Sequence, residues 1–283
     1  MAARLLIIMG MIGQLLLAGQ ACADDGLIQR AAATVPPKVF QFQAEDRFFS
    51  IQDYAAIDQW GQEIGLQKWT HFRCARLQEQ PGVALCLFSH SYLMTAIFGN
   101  AAYAIEDGQA ARDGHMGLLG IDLRVADLLA YGRTLPPAPV CGGRDDCLPS
   151  PELAFLSTIL PAMMQTWQIQ AVIAAPWGNR STIEHEILHG QYFSDAAYRQ
   201  AIMDYWQNGL SERDQSRAKL ELSQHYQSGS GDLWVNEFQA YILQSQPGSF
   251  LSTLREQHRS GLLAFLQTRQ VSPHLRPTQN QRP

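Results

Sequence analysis

The chain has 283 residues, of which 46% are hydrophobic and 17% are charged. This balance provides enough apolar material for a folded core, and it excludes a disordered chain or a coiled coil. The net charge is -5, from 21 basic and 26 acidic residues, and no basic run alternates with aromatic residues, so the sequence predicts no nucleic-acid partner.

Residues 1–23 have the pattern of a secretory signal peptide, with a positive start, an apolar run at 5–18 and the cleavage triplet Ala21-Cys22-Ala23. The apolar run is shorter than the stretch of about 20 residues that a membrane-spanning helix needs. We therefore expect a mature chain that begins at Asp24, is periplasmic or secreted, and has no transmembrane span. An uncleaved membrane anchor and a lipoprotein with lipidated Cys22 are the two alternatives.

Cleavage would leave an even number of cysteines, which in an exported chain predicts disulfides. Strand-like runs at 71–77 and 83–89 flank a turn, and pairing them places Cys74 opposite Cys86, within the distance that a disulfide spans. The remaining pair, Cys141 and Cys147, would close a short loop. A zinc site made of all four cysteines is the rival interpretation, but the chain lacks the C-x-x-C spacing of such sites.

Residues 24–175 are predicted to form an α/β lobe. Short apolar runs predict strands, and capping residues or a following glycine mark the ends of helices. The predicted elements are, in chain order, a strand at 39–42, strands at 71–77 and 83–89, a helix at 123–131 closed by Gly132, a helix that begins at Ser150 and runs to about Trp167 with a bend at Pro161, and a strand at 169–175.

Residues 176–270 are predicted to form a helical lobe, followed by a disordered tail at 271–283. Here one capping signal follows another, with no strand-like run between them. The predicted helices begin at Ser181, with Glu184 completing a capping box, at Asp195 (ending before Gly209), at Ser211 (ending near Tyr226), at Asp232 (ending before Pro247) and at Ser249 (ending at Thr268).

His185, Glu186 and His189 form an HExxH motif inside the helix predicted from Ser181. Residues four apart lie on one face of a helix, so both imidazoles can bind one Zn2+. Glu186 is beside the first ligand, where it can act as a general base toward the metal-bound water without occupying a coordination position. The alternative is an ordinary amphipathic helix whose two histidines face solvent.

A catalytic zinc site usually has three protein ligands, and Glu237 is the best candidate for the third. It lies 48 residues after His189 in a largely apolar stretch, where a carboxylate needs a partner such as a metal. The alternative is a structural glutamate that is paired with Arg180 or Arg199.

The stretch Glu184-His185-Glu186-Ile187-Leu188-His189-Gly190, taken with Asn236-Glu237, resembles zincin metallopeptidases of the gluzincin type. It is also similar to a set of poorly characterised exported bacterial proteins. The resemblance covers about residues 176–245. It implies an α+β, zincin-like fold, with a sheet-bearing N-terminal lobe, a helical C-terminal lobe and the active-site helix between them.

The resemblance also implies residues that support the metal ligands. Thermolysin-like members have an aspartate four residues after the glutamate ligand, where it orients a zinc-binding histidine, but this chain has Tyr241 there. Asn236 and Glu184 are the candidates for that supporting role. A donor for the tetrahedral oxyanion is also needed, and the candidates are His225, Tyr226 and Tyr241, of which we favour Tyr226 because it precedes a Gly-Ser turn.

The sequence therefore predicts an exported zinc-dependent metallohydrolase, most simply a peptidase that acts on a peptide or protein substrate. Zn2+ would be held by His185, His189 and Glu237, with Glu186 as the general base and Tyr226 as a further catalytic residue. Two alternatives remain open, a catalytically idle binding protein on the same scaffold and a metalloamidase that acts on peptidoglycan. The sequence does not indicate the oligomeric state.

Overall fold

A five-stranded mixed sheet organises the first half of the described chain. The computed structural model describes residues 41–66, 71–106, 119–136, 149–224, 226, 231–246 and 250–275. The strands are β1 (Gln41–Phe49), β2 (His71–Leu77), β3 (Val83–Phe88), β4 (Ile121–Arg124) and β5 (Ala171–Pro176). Their order across the sheet is β1-β2-β3-β5-β4, and the short edge strand β4 runs antiparallel to β5.

Helices cover both faces of this sheet. Helix α1 (Tyr54–Gly65) packs on one face, and α2 (Ser91–Glu106) and α3 (Val125–Gly132) pack on the other. Every residue of β3 is buried, as expected for a central strand that is covered on both sides.

The helical stretch at residues 151–167 joins α2 and α3 on the same face. It consists of α4 (Pro151–Ala154), a π-helical turn (Phe155–Ile159) and α5 (Leu160–Trp167). The wide turn comes just before Pro161, whose ring nitrogen cannot donate the hydrogen bond that a regular helix requires. The predicted irregularity at this proline is therefore a widened turn.

The helical lobe has a core of its own. Its elements are α6 (Arg180–Ser194), α7 (Ala196–Asn208), α8 (Glu212–Leu222), α9 (Gly231–Leu243) and α10 (Ser252–Thr268). Helix α6 belongs to both parts, since Ile183 and Ile187 pack with the sheet while Leu188 and Tyr192 pack with the other helices. This confirms the predicted α+β fold with the motif helix between the two lobes.

Several predicted boundaries are confirmed and others are wrong, among them the start at Asp232, which lies inside α9, and the end near Tyr226, since α8 stops at Leu222. Asp195 and Ser211 accept hydrogen bonds from the first turns of α7 and α8, as predicted for capping residues. Helix α6, however, is capped by Asn179, whose Oδ1 accepts from Thr182 N at 3.3 Å, so Ser181 lies inside the helix. Leu123 belongs to β4 and not to the following helix, because a strand that is only four residues long leaves little alternation to detect.

The predicted disulfide between Cys74 and Cys86 is present. The two residues are directly opposite each other in the antiparallel pair of β2 and β3, with their Cα atoms 4.0 Å apart. Both are fully buried between the sheet and its covering helices. A structural disulfide of this kind is typical of proteins outside the cytoplasm.

Some predictions fall outside the described residues, namely the signal peptide at 1–23 with Cys22, the pair Cys141 and Cys147, and the tail beyond residue 275. At the start of the predicted tail, Ser272 O accepts from Gln191 Nε2 at 2.9 Å, and His274 N donates to Gln191 Oε1 at 2.8 Å. In the ranges that the structure describes, no helix has the length and apolar character to cross a membrane.

Replacing both Cys74 and Cys86 by Ala is expected to lower the free energy of unfolding by about 2 to 4 kcal/mol, because the bridge restricts the unfolded chain. Urea unfolding of the variant and the wild type without reductant measures this difference. Uptake of iodoacetamide at both positions in denatured, unreduced wild-type protein would contradict the bridge.

Candidate metal centre

The HExxH helix is held tightly against the sheet. A Cβ built on Gly190 would come within 2.7 Å of Gln80 Oε1 and 3.0 Å of Val83 Cγ1, so the helix backbone approaches β3 at a point where a larger residue would collide. Gln80 also donates from Nε2 to Ile187 O at 2.9 Å. These contacts fix the rotation of α6, and with it the direction in which the histidines of the motif point.

The structure brings His185, His189 and Glu237 together, as the sequence predicts. Glu237 Oε2 lies 3.5 Å from His185 Nε2 and 3.8 Å from His189 Nε2. One donor atom from each of the three residues lies within 4.8 Å of the other two, so the three form a buried group that could bind a metal ion.

The donor geometry fits a tetrahedral ion. Two ligand atoms that are each about 2.0 to 2.1 Å from Zn2+ are separated by roughly 3.4 Å, close to the two separations observed. Those separations are too long for good hydrogen bonds. Within the described part of the chain, Glu237 Oε2 is buried without a hydrogen bond, which is expected of an atom whose partner is a cation.

The alternative pairing of Glu237 with Arg180 is wrong, because Arg180 lies elsewhere. Its Nη2 is 2.6 Å from Asp58 Oδ2, so it joins the start of α6 to α1. Among the residues that the structure describes, the basic side chains within 4 Å of the Glu237 carboxylate are those of His185 and His189 and do not include Arg199.

Burial sets the protonation of the group. It lowers the pKa of His189 to about 4, so this ring is neutral near pH 7, as a metal ligand must be. Burial alone would raise the pKa of Glu237, but the two histidines and a hydrogen bond from the Tyr226 side chain outweigh it and hold that pKa below its ordinary value. The donor set is therefore two imidazoles and one carboxylate.

Each histidine has an acceptor close to its other ring nitrogen. Gln244 Oε1 lies 2.9 Å from His185 Nδ1, and Asp122 Oδ2 lies 3.3 Å from His189 Nδ1. Such partners fix the tautomer and the orientation of ligand histidines. With Nδ1 protonated, each ring directs its Nε2 lone pair toward Glu237.

The two predicted supporting residues occupy different places. Asn236 lies beside the His189 ring and donates from Nδ2 to Asp122 Oδ2 at 3.1 Å. Glu184 accepts instead from Ser245 Oγ at 2.5 Å, at the end of α9. Asn236 therefore belongs to the surroundings of the centre, while Glu184 links α6 to α9.

Sequence reasoning missed Asp122 and Gln244. Asp122 lies in a four-residue strand that was not predicted, so no pattern set it apart. Gln244 follows Glu237 by seven residues. This spacing corresponds to about two helical turns, so Gln244 continues the face of α9 on which Glu237 lies. That spacing was the signal that could have identified Gln244.

Glu186 is buried beside the three-residue group but is not part of it. Its carboxylate, Asp122 and His189 have donor atoms within 4.8 Å of one another, so they form a second group that could hold a metal ion and that shares His189 with the first. A Cβ on Gly120 would overlap the Glu186 carboxylate and come within 2.8 Å of Thr182 Cγ2. The backbone before β4 therefore packs directly against the carboxylate predicted to be the base.

Tyr226 and Tyr241 are both near the centre. The side chain of Tyr226 hydrogen-bonds to Glu237 and to Tyr241. The ring of Tyr241 lies 4.5 Å from that of His185, centre to centre. Burial, together with the charges of Glu237, Glu186 and Asp122, raises the pKa of Tyr241, so its hydroxyl remains protonated and can donate. The third predicted candidate, His225, lies outside the described residues.

Comparison with known protein families, with curated proteins and with solved structures finds no match for this chain. The metal centre therefore has to be interpreted from its own geometry.

Replacing Gly120 by Ala is expected to lower the free energy of unfolding by about 1 to 3 kcal/mol, because the new methyl group would have to displace Glu186 or the strand. The metal content should not change, since the side chain that the new methyl group meets first, Glu186, is not one of the three proposed ligands. Urea unfolding and elemental analysis measure both quantities.

Gly132→Ala is the matched control, because the nearest atom to a Cβ at that position is Leu156 Cδ1 at 3.9 Å, an ordinary contact. If the Gly120 variant were as stable as the Gly132 variant, the close packing of Glu186 against β4 would be refuted.

Proposed function

We propose that this protein is an exported zinc-dependent peptidase, with His185, His189 and Glu237 as the metal ligands. The observation that supports this most directly is that two buried glutamates occupy different positions relative to the two histidines. Glu237 has an oxygen aimed at both histidine Nε2 atoms, whereas Glu186 is beside His189 and outside the donor group. Two histidines with one carboxylate are the ligand set of known catalytic zinc peptidase sites.

When bound, Zn2+ would polarise a peptide carbonyl and lower the pKa of a water molecule. The remaining chemistry belongs to residues of the chain. Glu186 accepts the proton of the attacking water and delivers it to the nitrogen of the leaving amine. A carboxylate can serve both steps only if it is held within hydrogen-bonding reach of the reacting atoms, and the packing against Gly120 restricts Glu186 to one place.

Tyr226 is proposed to stabilise the oxyanion that develops on the substrate. Its hydroxyl is at the Glu237 carboxylate, next to the donor atoms of the centre. Tyr241 hydrogen-bonds to it from the same helix as Glu237. Without substrate the one hydroxyl proton of Tyr226 is donated to Glu237, so the hydroxyl would turn from Glu237 to the oxyanion, where a neutral donor is an effective form of transition-state stabilisation.

An idle binding protein is less well supported than an enzyme. A metal site that only stabilises the fold needs no base, yet Glu186 is only 4% exposed and lies beside a ligand histidine. Burying a carboxylate at such a place is unfavourable without compensation, which favours a catalytic role. A metalloamidase acting on cell-wall peptides would use the same residues and differs only in its substrate.

Replacing each of the two glutamates in a separate variant tests the proposal. Glu186→Gln should retain one zinc per chain and lose about 10²- to 10⁴-fold in hydrolysis rate, because only the base is removed. Glu237→Ala should lose zinc affinity and therefore melt at a lower temperature in zinc-containing buffer. Zinc content, melting temperature and hydrolysis of a peptide library and of cell-wall fragments are the measurements.

Glu212→Ala is the control for these variants, because Glu212 is exposed in the first turn of α8 and should affect none of the three measurements. Zinc binding by Glu237→Ala as tight as by the wild type would show that the third ligand is another residue. A zinc-loaded wild type that hydrolyses neither class of substrate would favour the idle scaffold.

Tyr226→Phe is expected to lower kcat by about 10²- to 10³-fold with a small change in KM, as the loss of one oxyanion donor does. Zinc content should be retained, since the phenol is not a ligand. Tyr131→Phe is the matched control, because its hydroxyl donates to the buried Glu152 at 2.9 Å in the sheet lobe. An unchanged kcat in the Tyr226 variant would remove this residue from the mechanism.

A further inference from the structure

A chain of hydrogen bonds runs through the helical lobe to Asp122, whose carboxylate lies beside the ring of His189. The Tyr198 hydroxyl donates to Gln239 Oε1 at 2.7 Å, and Gln239 Nε2 donates to Asn236 Oδ1 at 3.3 Å. Asn236 Nδ2 then donates to Asp122 Oδ2 at 3.1 Å. The same carboxylate oxygen lies 3.3 Å from His189 Nδ1. The chain thus connects α7, α9 and β4 to one proposed metal ligand.

All the donors in this chain point the same way. Each amide accepts with its oxygen on the side of Tyr198 and donates with its nitrogen on the side of Asp122. An ionised carboxylate has only acceptor sites, so it is a natural end point for donors that arrive from both sides. Asp122 can therefore receive Asn236 from one direction and the Nδ1 proton of His189 from the other.

The chain is buried along its whole length. The exposed fractions are 0% for Tyr198 and Gln239, 3% for Asn236, 8% for Asp122 and 1% for His189. Polar groups in such a place are unfavourable unless they are all satisfied, and apolar side chains could hold the same elements together. A hydrogen-bond chain that runs unbroken from Tyr198 to Asp122, and ends with that carboxylate 3.3 Å from the ring of a proposed metal ligand, indicates a role beyond packing.

The two histidines differ in the partner behind them. His185 faces the neutral amide of Gln244, whereas His189 faces the carboxylate of Asp122, toward which the buried donors are directed. A carboxylate behind the ring raises the basicity of the opposite nitrogen more than an amide does. His189 should therefore be the stronger of the two ligands.

We infer that Asp122, Asn236, Gln239 and Tyr198 are positioning residues that fix the Nδ1–H tautomer of His189 and thereby raise the metal affinity of its Nε2. This inference rests on the proposed function, because the ligand it improves is that of the proposed zinc site. It adds residues from β4 and α7 that have no place in the HExxH motif, and it makes a residue as distant as Tyr198 part of the metal centre.

The tautomer of His189 tests the inference directly. In the metal-free wild-type protein, 15N NMR of the imidazole nitrogens should show His189 as the Nδ1–H form. In Asp122→Asn the side chain can present an amide hydrogen to Nδ1, so the population should move toward the Nε2–H form. A wild-type His189 in the Nε2–H form, or a tautomer ratio that Asp122→Asn leaves unchanged, would overturn it.

Zinc dissociation constants, measured by competition with a chelator, test the more distant links. Asp122→Asn should weaken zinc binding about 10- to 100-fold, as the loss of a supporting carboxylate does. Tyr198→Phe should weaken it by a smaller factor, about two- to fivefold, because Gln239 Oε1 would be left buried without its donor and the amide could turn away from Asn236.

Tyr205→Phe is the matched control for the distant link. Tyr205 is a second buried tyrosine of α7, but its hydroxyl faces His258 at 3.4 Å and not the chain. Its zinc dissociation constant should equal that of the wild type. Equal constants for the Tyr198 and Tyr205 variants would overturn the inference for Gln239 and Tyr198.

These outcomes are separate from those of the proposed function. A zinc-loaded protein that hydrolyses no peptide would refute the peptidase while the tautomer and the dissociation constants still supported the chain. Conversely, full activity of a zinc-loaded Asp122→Asn protein with an unchanged zinc dissociation constant would refute the chain and leave the peptidase intact.

Discussion

The structure around the centre depends on one buried negative charge, the carboxylate of Glu237. It is 2% exposed, and within the described residues its Oε2 atom has two imidazole nitrogens nearby but no hydrogen bond. A carboxylate removed from water in this way is strongly destabilising unless a positive charge or several donors compensate for it. A divalent cation held between Glu237, His185 and His189 would supply that compensation, so metal binding and the stability of the helical lobe should be linked.

Helix α9 is fixed at its carboxyl end as well as at the proposed ligand. Arg255 Nη2 donates to Gln244 O at 2.6 Å, and Arg259 Nη2 donates to Leu243 O at 3.1 Å. Positively charged groups at the end of a helix satisfy its last carbonyls and interact favourably with its dipole. With its backbone held, Gln244 can orient the His185 ring, so α10 supports the centre without contributing to it.

The sequence was most informative where chemistry is tied to local spacing. The HExxH pair needs only one helical turn, and the Cys74–Cys86 bridge needs only one hairpin, so both followed from residues close together in the chain. Glu237 could be predicted because a carboxylate is unusual on an apolar helix. These three features involve strong local constraints, and the structure brings each set of residues together.

What the sequence could not predict depends on contacts between distant segments. Asp122 reaches His189 across 67 residues, and Gly120 meets Glu186 across 66, so no local pattern relates them. The capping residue is Asn179 and not Ser181, and these two candidates are only two residues apart in the sequence. Propensity indicates that a helix starts here, but it does not distinguish between the two residues.

The short strand β4 shows how one element can serve both lobes. Side chains alternate along a strand, so Ile121 and Leu123 enter the core beneath the sheet while Gly120, Asp122 and Arg124 share the opposite side. Gly120 packs on Glu186, and Asp122 faces His189. Arg124 lies 3.6 Å from Asp232 Oδ2, and the other oxygen of that carboxylate accepts from the Tyr192 hydroxyl. The backbone segment 120–124 therefore positions groups next to the proposed base, one proposed ligand and the end of α6. A shift of that segment by one residue would reverse every side chain and disrupt all three contacts at once, which makes its pairing register with β5 a condition for the whole centre.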